Sequence, residues 1–287
     1  MPQYPQFPRT QVGGLSLPRM LIGTNWLLGF SHKTHPMNHM ILERNGNAKA
    51  MCDIICAFAK YGIDALMAPI TTSQSLMDAL NDAEQKLGKR IIRIDTPTIN
   101  VDDNAAARAE AEQKIRGCAK AGADFCLIHH TSAEALVNKN LGQIPRLPDY
   151  LSMIRDAGML PGLSAHMPEL IIYSDENEYD VETYIQLYNC AGFLMQLEVE
   201  GVNRIIWGAK KPVMTIKSMA AGRVTPFVGL SFSYATLRPC DMVTVGCLTP
   251  EEVDEDVEIA LAVLERRQAQ MEDRGSPAKS VLVGGNK

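Results

Sequence analysis

Short apolar runs of strand length alternate with longer amphipathic segments along almost the whole chain, and this alternation restricts the fold more than any motif does. Strands are expected over 17–24, 64–70, 90–96, 124–130, 160–165, 193–199, 212–217 and 241–246. Helices are expected near 47–61, 73–87, 103–121, 147–157, 168–174, 179–191, 202–208 and 226–236, with a last one from Thr249 to about residue 270. Strand–helix alternation requires parallel strands, and eight of them close into a barrel without free edges. The fold class is therefore α/β, a (β/α)8 TIM barrel with a long loop after its first strand, through residue 45.

Local signals agree with this order. Gly62, Gly122, Gly158 and Gly192 each follow a helical pattern just before a strand, where a left-handed C-cap reverses the chain. Thr249 and Glu252 have the spacing of a capping box. No domain boundary is visible, so one domain over 1–287 is expected, with a flexible or oligomer-docking tail over 274–287.

Composition excludes several function classes. The chain is 46% hydrophobic, enough for a large core, and its net charge of −5 argues against nucleic acid as a partner. No apolar run reaches the length of a membrane span, and the N-terminus lacks the apolar core of a signal peptide. Seven cysteines, an odd number, fall mostly inside apolar patterns, which suits buried thiols in a reducing cytoplasm. The expected partners are a small-molecule substrate and further copies of the chain.

Polar residues recur at period two toward the ends of four strands. Arg93 precedes Asp95, Ser164 precedes His166, Gln196 precedes Glu198, and Thr215 precedes Lys217. Alternate side chains share a face, so each pair is expected to point into a polar bore open at the C-terminal rim, where barrel active sites lie. Asp95, His129 or His130, His166, Glu198 and Lys217 are the catalytic candidates. Two imidazoles with carboxylates are also a ligand set for a divalent metal, which makes His129, His166, Glu198 and Asp95 candidate ligands. Without a metal the same groups suit acid–base catalysis, and a structural ion network around Asp95 is the plain alternative.

Lys217 admits a further reading, because a lysine desolvated in a barrel loses its proton readily and can form a Schiff base. Arg223 follows the seventh strand, where barrels commonly hold anionic groups. Asn25 and Trp26 leave the first strand at the rim and, with Arg93 and Gln196, complete the substrate-binding candidates. The long first loop is read as a lid. His32, His35 and His39 would share a face there if it were helical, although Pro36 interrupts the pattern.

Several of these segments resemble aldo-keto reductases. Gln11-Val12-Gly13-Gly14-Leu15-Ser16-Leu17-Pro18-Arg19 running into Ile22-Gly23-Thr24 is similar to the start of that family. So are Tyr61-Gly62-Ile63-Asp64, Asp124-Phe125-Cys126-Leu127-Ile128-His129, Gly162-Leu163-Ser164-Ala165-His166 and Ile216-Lys217-Ser218-Met219-Ala220-Ala221-Gly222-Arg223. Val245-Gly246 through Thr249-Pro250-Glu251-Glu252-Val253 resembles the end of the barrel. The resemblance implies a barrel whose bottom is plugged by an N-terminal hairpin over 1–19.

The family's reduction uses an aspartate, a tyrosine, a lysine and a histidine. Here the aspartate's place falls on Met67, the lysine's on Pro97, and no tyrosine lies between Pro69 and Ser75. The histidine remains, as His129 or His130. Acidic residues 251–256 stand where the family holds the NADP phosphate, so a divalent metal rather than NADP is the candidate cofactor. The expected function is a lyase or isomerase acting on a sugar derivative or oxo acid, with NADP-linked reduction and non-catalytic ligand binding as alternatives.

Overall fold

Apolar runs too short for helices become strands here because each is buried on both faces, as in any parallel sheet covered by helices. A computed structural model describes residues 4–271. Strands β1 (Arg9–Val12) and β2 (Leu15–Pro18) form an antiparallel hairpin, with Val12 opposite Leu15. Eight parallel strands follow: β3 (Met20–Gly23), β4 (Ala65–Ala68), β5 (Ile92–Asp95), β6 (Phe125–Ile128), β7 (Leu160–Ala165), β8 (Thr183–Leu187), β9 (Val213–Ile216) and β10 (Met242–Val245). They pair in chain order, and β10 closes the barrel on β3. The expected (β/α)8 barrel with its N-terminal hairpin is the observed fold.

Helices α1 (Asn25–Leu28), α2 (His35–Asn45) and α3 (Ala48–Ala59) fill the first connection, followed by α4 (Gln74–Leu87) and α5 (Ala105–Lys120). The rest are α6 (His130–Ala133), α7 (Leu147–Asp156), α8 (Glu169–Glu176), α9 (Val199–Gly208), α10 (Pro226–Thr236) and α11 (Pro250–Glu265). Thr249 caps α11 by accepting from the Glu252 N–H, while the Glu252 carboxylate accepts from Leu248 rather than from Thr249. Among the described residues no helix is long and apolar enough to cross a membrane, and the seven cysteines are unpaired. The tail expected over 274–287 lies outside the described residues.

Two expectations need correction. The bore is not polar. Leu21, Met67, Ile94, Phe125, Leu127, Ile185, Met214 and Met242 fill it, and Val12 and Leu17 of the hairpin belong to the same cluster. Thr215, expected to share an inward face with Lys217, instead alternates with inward Met214 and hydrogen-bonds the Met242 carbonyl. The sixth barrel strand is 183–187, not 193–199. Residues 188–198 follow it as a loop, in which the Asn189 side chain accepts from the Ala191 and Phe193 N–H groups and donates to the Phe193 carbonyl, and Val199 opens α9. Gly192 accordingly turns within that loop, at φ 65°, while Gly62, Gly122 and Gly158 precede strands as expected.

Candidate active site

Above the apolar layers, the C-terminal strand ends enclose a cavity of about 1000 Å³. His129 enters it because it continues the inward alternation of Phe125 and Leu127. Ser164 and His166 line it from β7 and its end. The Glu134 carboxylate fixes that end by accepting the backbone N–H groups of His166 at 2.6 Å and Met167 at 2.9 Å. Lys217 leaves β9 in the left-handed region, at φ 62°, and lines the cavity with Ser218. A non-glycine residue held there costs on the order of 1 kcal/mol, and such strain gathers at functional sites.

Three imidazoles stand together. The His130 and His166 rings stack at 3.7 Å between centroids, and His129 lies 4.2 Å from His130. Burial, then the neighbouring His130 and Lys217, pushes His129 down to about 4. Burial, then the same two neighbours, pushes His166 down to about 3, while burial lowers His130 against an opposing pull from the Glu134 carboxylate. All three are neutral at physiological pH. His129 Nδ1 accepts from the Thr131 N–H and pairs with the Thr131 hydroxyl at 2.9 Å. An N–H only donates, so the network assigns the His129 proton to Nε2.

Lys217 is pushed down to about 8 by burial. Among the described residues the one hydrogen bond of its side-chain amine is to His32 Nε2, at 3.1 Å. The His32 Nδ1 lies 2.9 Å from the Phe30 carbonyl, which only accepts, so Nδ1 carries the proton and Nε2 offers a lone pair to Lys217. Burial and the Lys217 charge lower His32 as well.

Two loops meet over this pair. Arg223 donates to the His32 carbonyl at 3.1 Å, and Lys33 donates to the Gly222 carbonyl at 3.0 Å. The Arg223 guanidinium lies 4.1 Å from the centre of the Phe193 ring. Trp26 sits between the two glycines of the rim. A Cβ on Gly246 would come within 3.1 Å of its ring, and one on Gly222 within 3.6 Å. The first loop therefore closes over the cavity as a strap, but only in part as a plain loop. Pro36, which interrupts the sequence pattern, instead sits in the first turn of α2 behind its Thr34 cap. His35 and His39 are exposed on that helix, and only His32 of the three histidines reaches the cavity.

Of the residues singled out in the sequence, the structure brings His129, His130, His166, Lys217, Asn25, Trp26 and Arg223 to this cavity. Asp95, Arg93, Glu198 and Gln196 do not line it. Ile92 and Ile94 take the inward face of β5, which turns Arg93 and Asp95 toward the helices. There Arg93 pairs with Glu84 at 3.0 Å, and Asp95 accepts from the Ile70 N–H. Burial pushes Asp95 up to about 6. Glu198 and Gln196 are exposed in the loop after β8, and Glu198 precedes α9 without capping it. The four-residue metal set is thus not brought together, and no group of three or more His, Cys, Asp or Glu among the described residues is placed to hold a metal ion. His32 and Lys33 were not among the site candidates, because only the contact between the two loops brings them in.

Glu252, Glu255 and Asp256 also line the cavity, with burial pushing Asp256 up to about 7. Met67 and Pro97 line the cavity at the reductase aspartate and lysine places, and no tyrosine does among the described residues.

No family model and no curated protein sequence matches the chain. Among solved structures, the chain is similar to a Pseudomonas aeruginosa protein assigned as an aldo-keto reductase, at 14% identity and a TM-score of 0.66, over 92% of this chain and 98% of that one. It is similar to the glycerol dehydrogenase of Gluconobacter oxydans at 12% identity and a TM-score of 0.58, over 94% and 99%. A ribulose-1,5-bisphosphate carboxylase/oxygenase from Pyrococcus horikoshii is similar at 11% identity and a TM-score of 0.51, over 77% of this chain and 56% of that one. Likeness at such identities shows the barrel fold alone. It does not carry a reaction, since one barrel hosts many chemistries.

Proposed function

We propose that the protein is an enzyme of the lyase or isomerase type, which moves a proton next to the carbonyl of a small anionic compound. An oxo acid or a phosphorylated sugar derivative fits this description. One observation carries the reading: a desolvated lysine and three neutral imidazoles share the open end of an apolar barrel. Arg223 and Lys33 supply charge for the anionic group. Lys217 activates the carbonyl, and the His129 Nε2–H is available to its oxygen as charge develops there. His166 serves as the base. Burial is the main cause of the imidazoles' depression, and an entering anion offsets the smaller Lys217 contribution, which raises their basicity in part once substrate is bound.

The barrel likeness favours a second reading, NADP-linked reduction. Against it stand the absence of a tyrosine donor, worth roughly a hundred- to ten-thousand-fold in rate, and the acidic wall at residues 252–256. Steady NADPH-dependent turnover of generic aldehydes would favour that second reading.

The test of the first is hydrogen exchange. A panel of 2-oxo acids and ketose phosphates is incubated with the protein in D2O, and loss of the proton next to the carbonyl is followed by NMR. Exchange above the buffer rate with a panel member, lost in His166→Asn, is expected. Exchange at the buffer rate throughout would overturn the reading.

A further inference from the structure

The geometry points to a covalent carbonyl-capture site formed by His32 and Lys217, in which the Lys217 amine adds to an aldehyde or ketone and His32 is the base that frees it. This rests on the proton-transfer reading and deepens it by naming the bond that forms. The His32 lone pair on Nε2 faces Lys217 Nζ at 3.1 Å, and the bond from Nδ1 to the Phe30 carbonyl holds the ring in that tautomer. A lysine paired with a carboxylate would be held as an ammonium ion, whereas an imidazole acceptor can take its proton and leave a nucleophile.

The surroundings fit the later steps. The Ser218 hydroxyl is buried at the cavity wall without a hydrogen-bond partner among the described residues, next to Lys217 in the chain. A buried hydroxyl left unpaired is costly, and a carbinolamine oxygen would satisfy it. Arg223 donates to the His32 carbonyl, so a carboxylate or phosphate on the substrate would be held beside the reacting carbonyl.

The step balances without an oxidant or reductant. His32 takes a proton from the Lys217 ammonium, and the nitrogen lone pair forms a bond to the carbonyl carbon. The C=O π pair moves to the oxygen, which takes up one of the two protons remaining on the nitrogen as the neutral carbinolamine forms. That hydroxyl then leaves as water, protonated by the His32 imidazolium, and the nitrogen lone pair closes the iminium. Ammonium and carbonyl have become iminium and one water.

Glyoxylate with sodium cyanoborohydride is the probe, applied to the full chain and read by intact mass and peptide mapping. One carboxymethyl group is expected on Lys217 well ahead of the other lysines, its rate rising as pH passes about 8. His32→Gln is expected to slow this labelling by about tenfold, with an unchanged circular dichroism spectrum. Labelling spread over surface lysines, with Lys217 no faster than the rest, would overturn the inference, and an unchanged rate in His32→Gln would remove His32 from it. Hydrogen exchange retained in Lys217→Arg, which keeps the charge but cannot form an imine, would sink the covalent step and leave the proton-transfer reading standing. Absence of exchange in the unaltered protein would sink that reading instead.

Discussion

His32 Nε2 stands 3.1 Å from Lys217 Nζ, joining the loop after the first barrel strand to the loop after the seventh. Both groups are bases whose charged forms are disfavoured by burial. The contact is therefore a weak source of stability in its protonated form and a ready source of an unprotonated amine. Its energetic signature is measurable without a substrate.

Lys217→Met is expected to stabilise the protein at pH 7 by roughly 1–3 kcal/mol, since each unit of pKa displacement is worth about 1.4 kcal/mol. The folded-state pKa is lowered from 10.5 to about 8, so between those values the unfolded chain binds more protons and stability rises with pH. The penalty is full below about pH 8 and vanishes near 10.5, so the variant's advantage shrinks across that window. Urea unfolding at pH 7 and pH 10 measures this. A variant less stable than the parent at pH 7 would contradict it.

The imidazoles set an acid limb. His129 and His166 are lowered from 6.5 to about 4 and about 3, so their contribution is intact above pH 6.5 and is lost as pH falls toward those values. Asp95 and Asp256, raised to about 6 and about 7, act with the opposite sign, because their cost is relieved on acidification. The readout is therefore a difference. His129→Asn with His166→Asn is expected to lose less stability than the parent between pH 6.5 and pH 4. Parallel curves would refute the neutral-imidazole assignment.

Asp95→Asn and Glu198→Gln are expected to leave exchange activity within about twofold of the parent. Asp95 faces the helices, and Glu198 is exposed outside the cavity. Asparagine keeps the acceptor for the Ile70 N–H and removes a buried charge, so Asp95→Asn is expected to match or exceed the parent in stability above pH 6. Loss of activity in either variant, with folding intact, would return these carboxylates to the site.

These residues also mark what the sequence discloses. Seven of the eight barrel strands fall where apolar runs and turn glycines place them. The exception, Thr-Tyr-Ile-Gln-Leu at 183–187, has Tyr184, Leu187 and Tyr188 at helical spacing, and burial on both faces removes the alternation that would mark a strand. That same two-sided burial misplaced Asp95. In a parallel barrel, period-two polarity says that two side chains share a face but not which face, and Arg93 with Glu84 shows that the helix side can be polar too. His129 and His166 were legible because they lie at strand ends, beyond the last apolar layer. His32 was not identified as a site residue, because its role comes from a contact 185 positions away in the chain.

The most direct test of the account is the titration of Lys217 itself, followed by the 13Cε resonance of reductively methylated or selectively labelled lysine and assigned with Lys217→Met. A midpoint near 8, set apart from the remaining lysines, is the predicted result. A midpoint near 10.5 would mean that Lys217 is an ordinary solvated ammonium, and the proposed carbonyl chemistry at this site would fall with it.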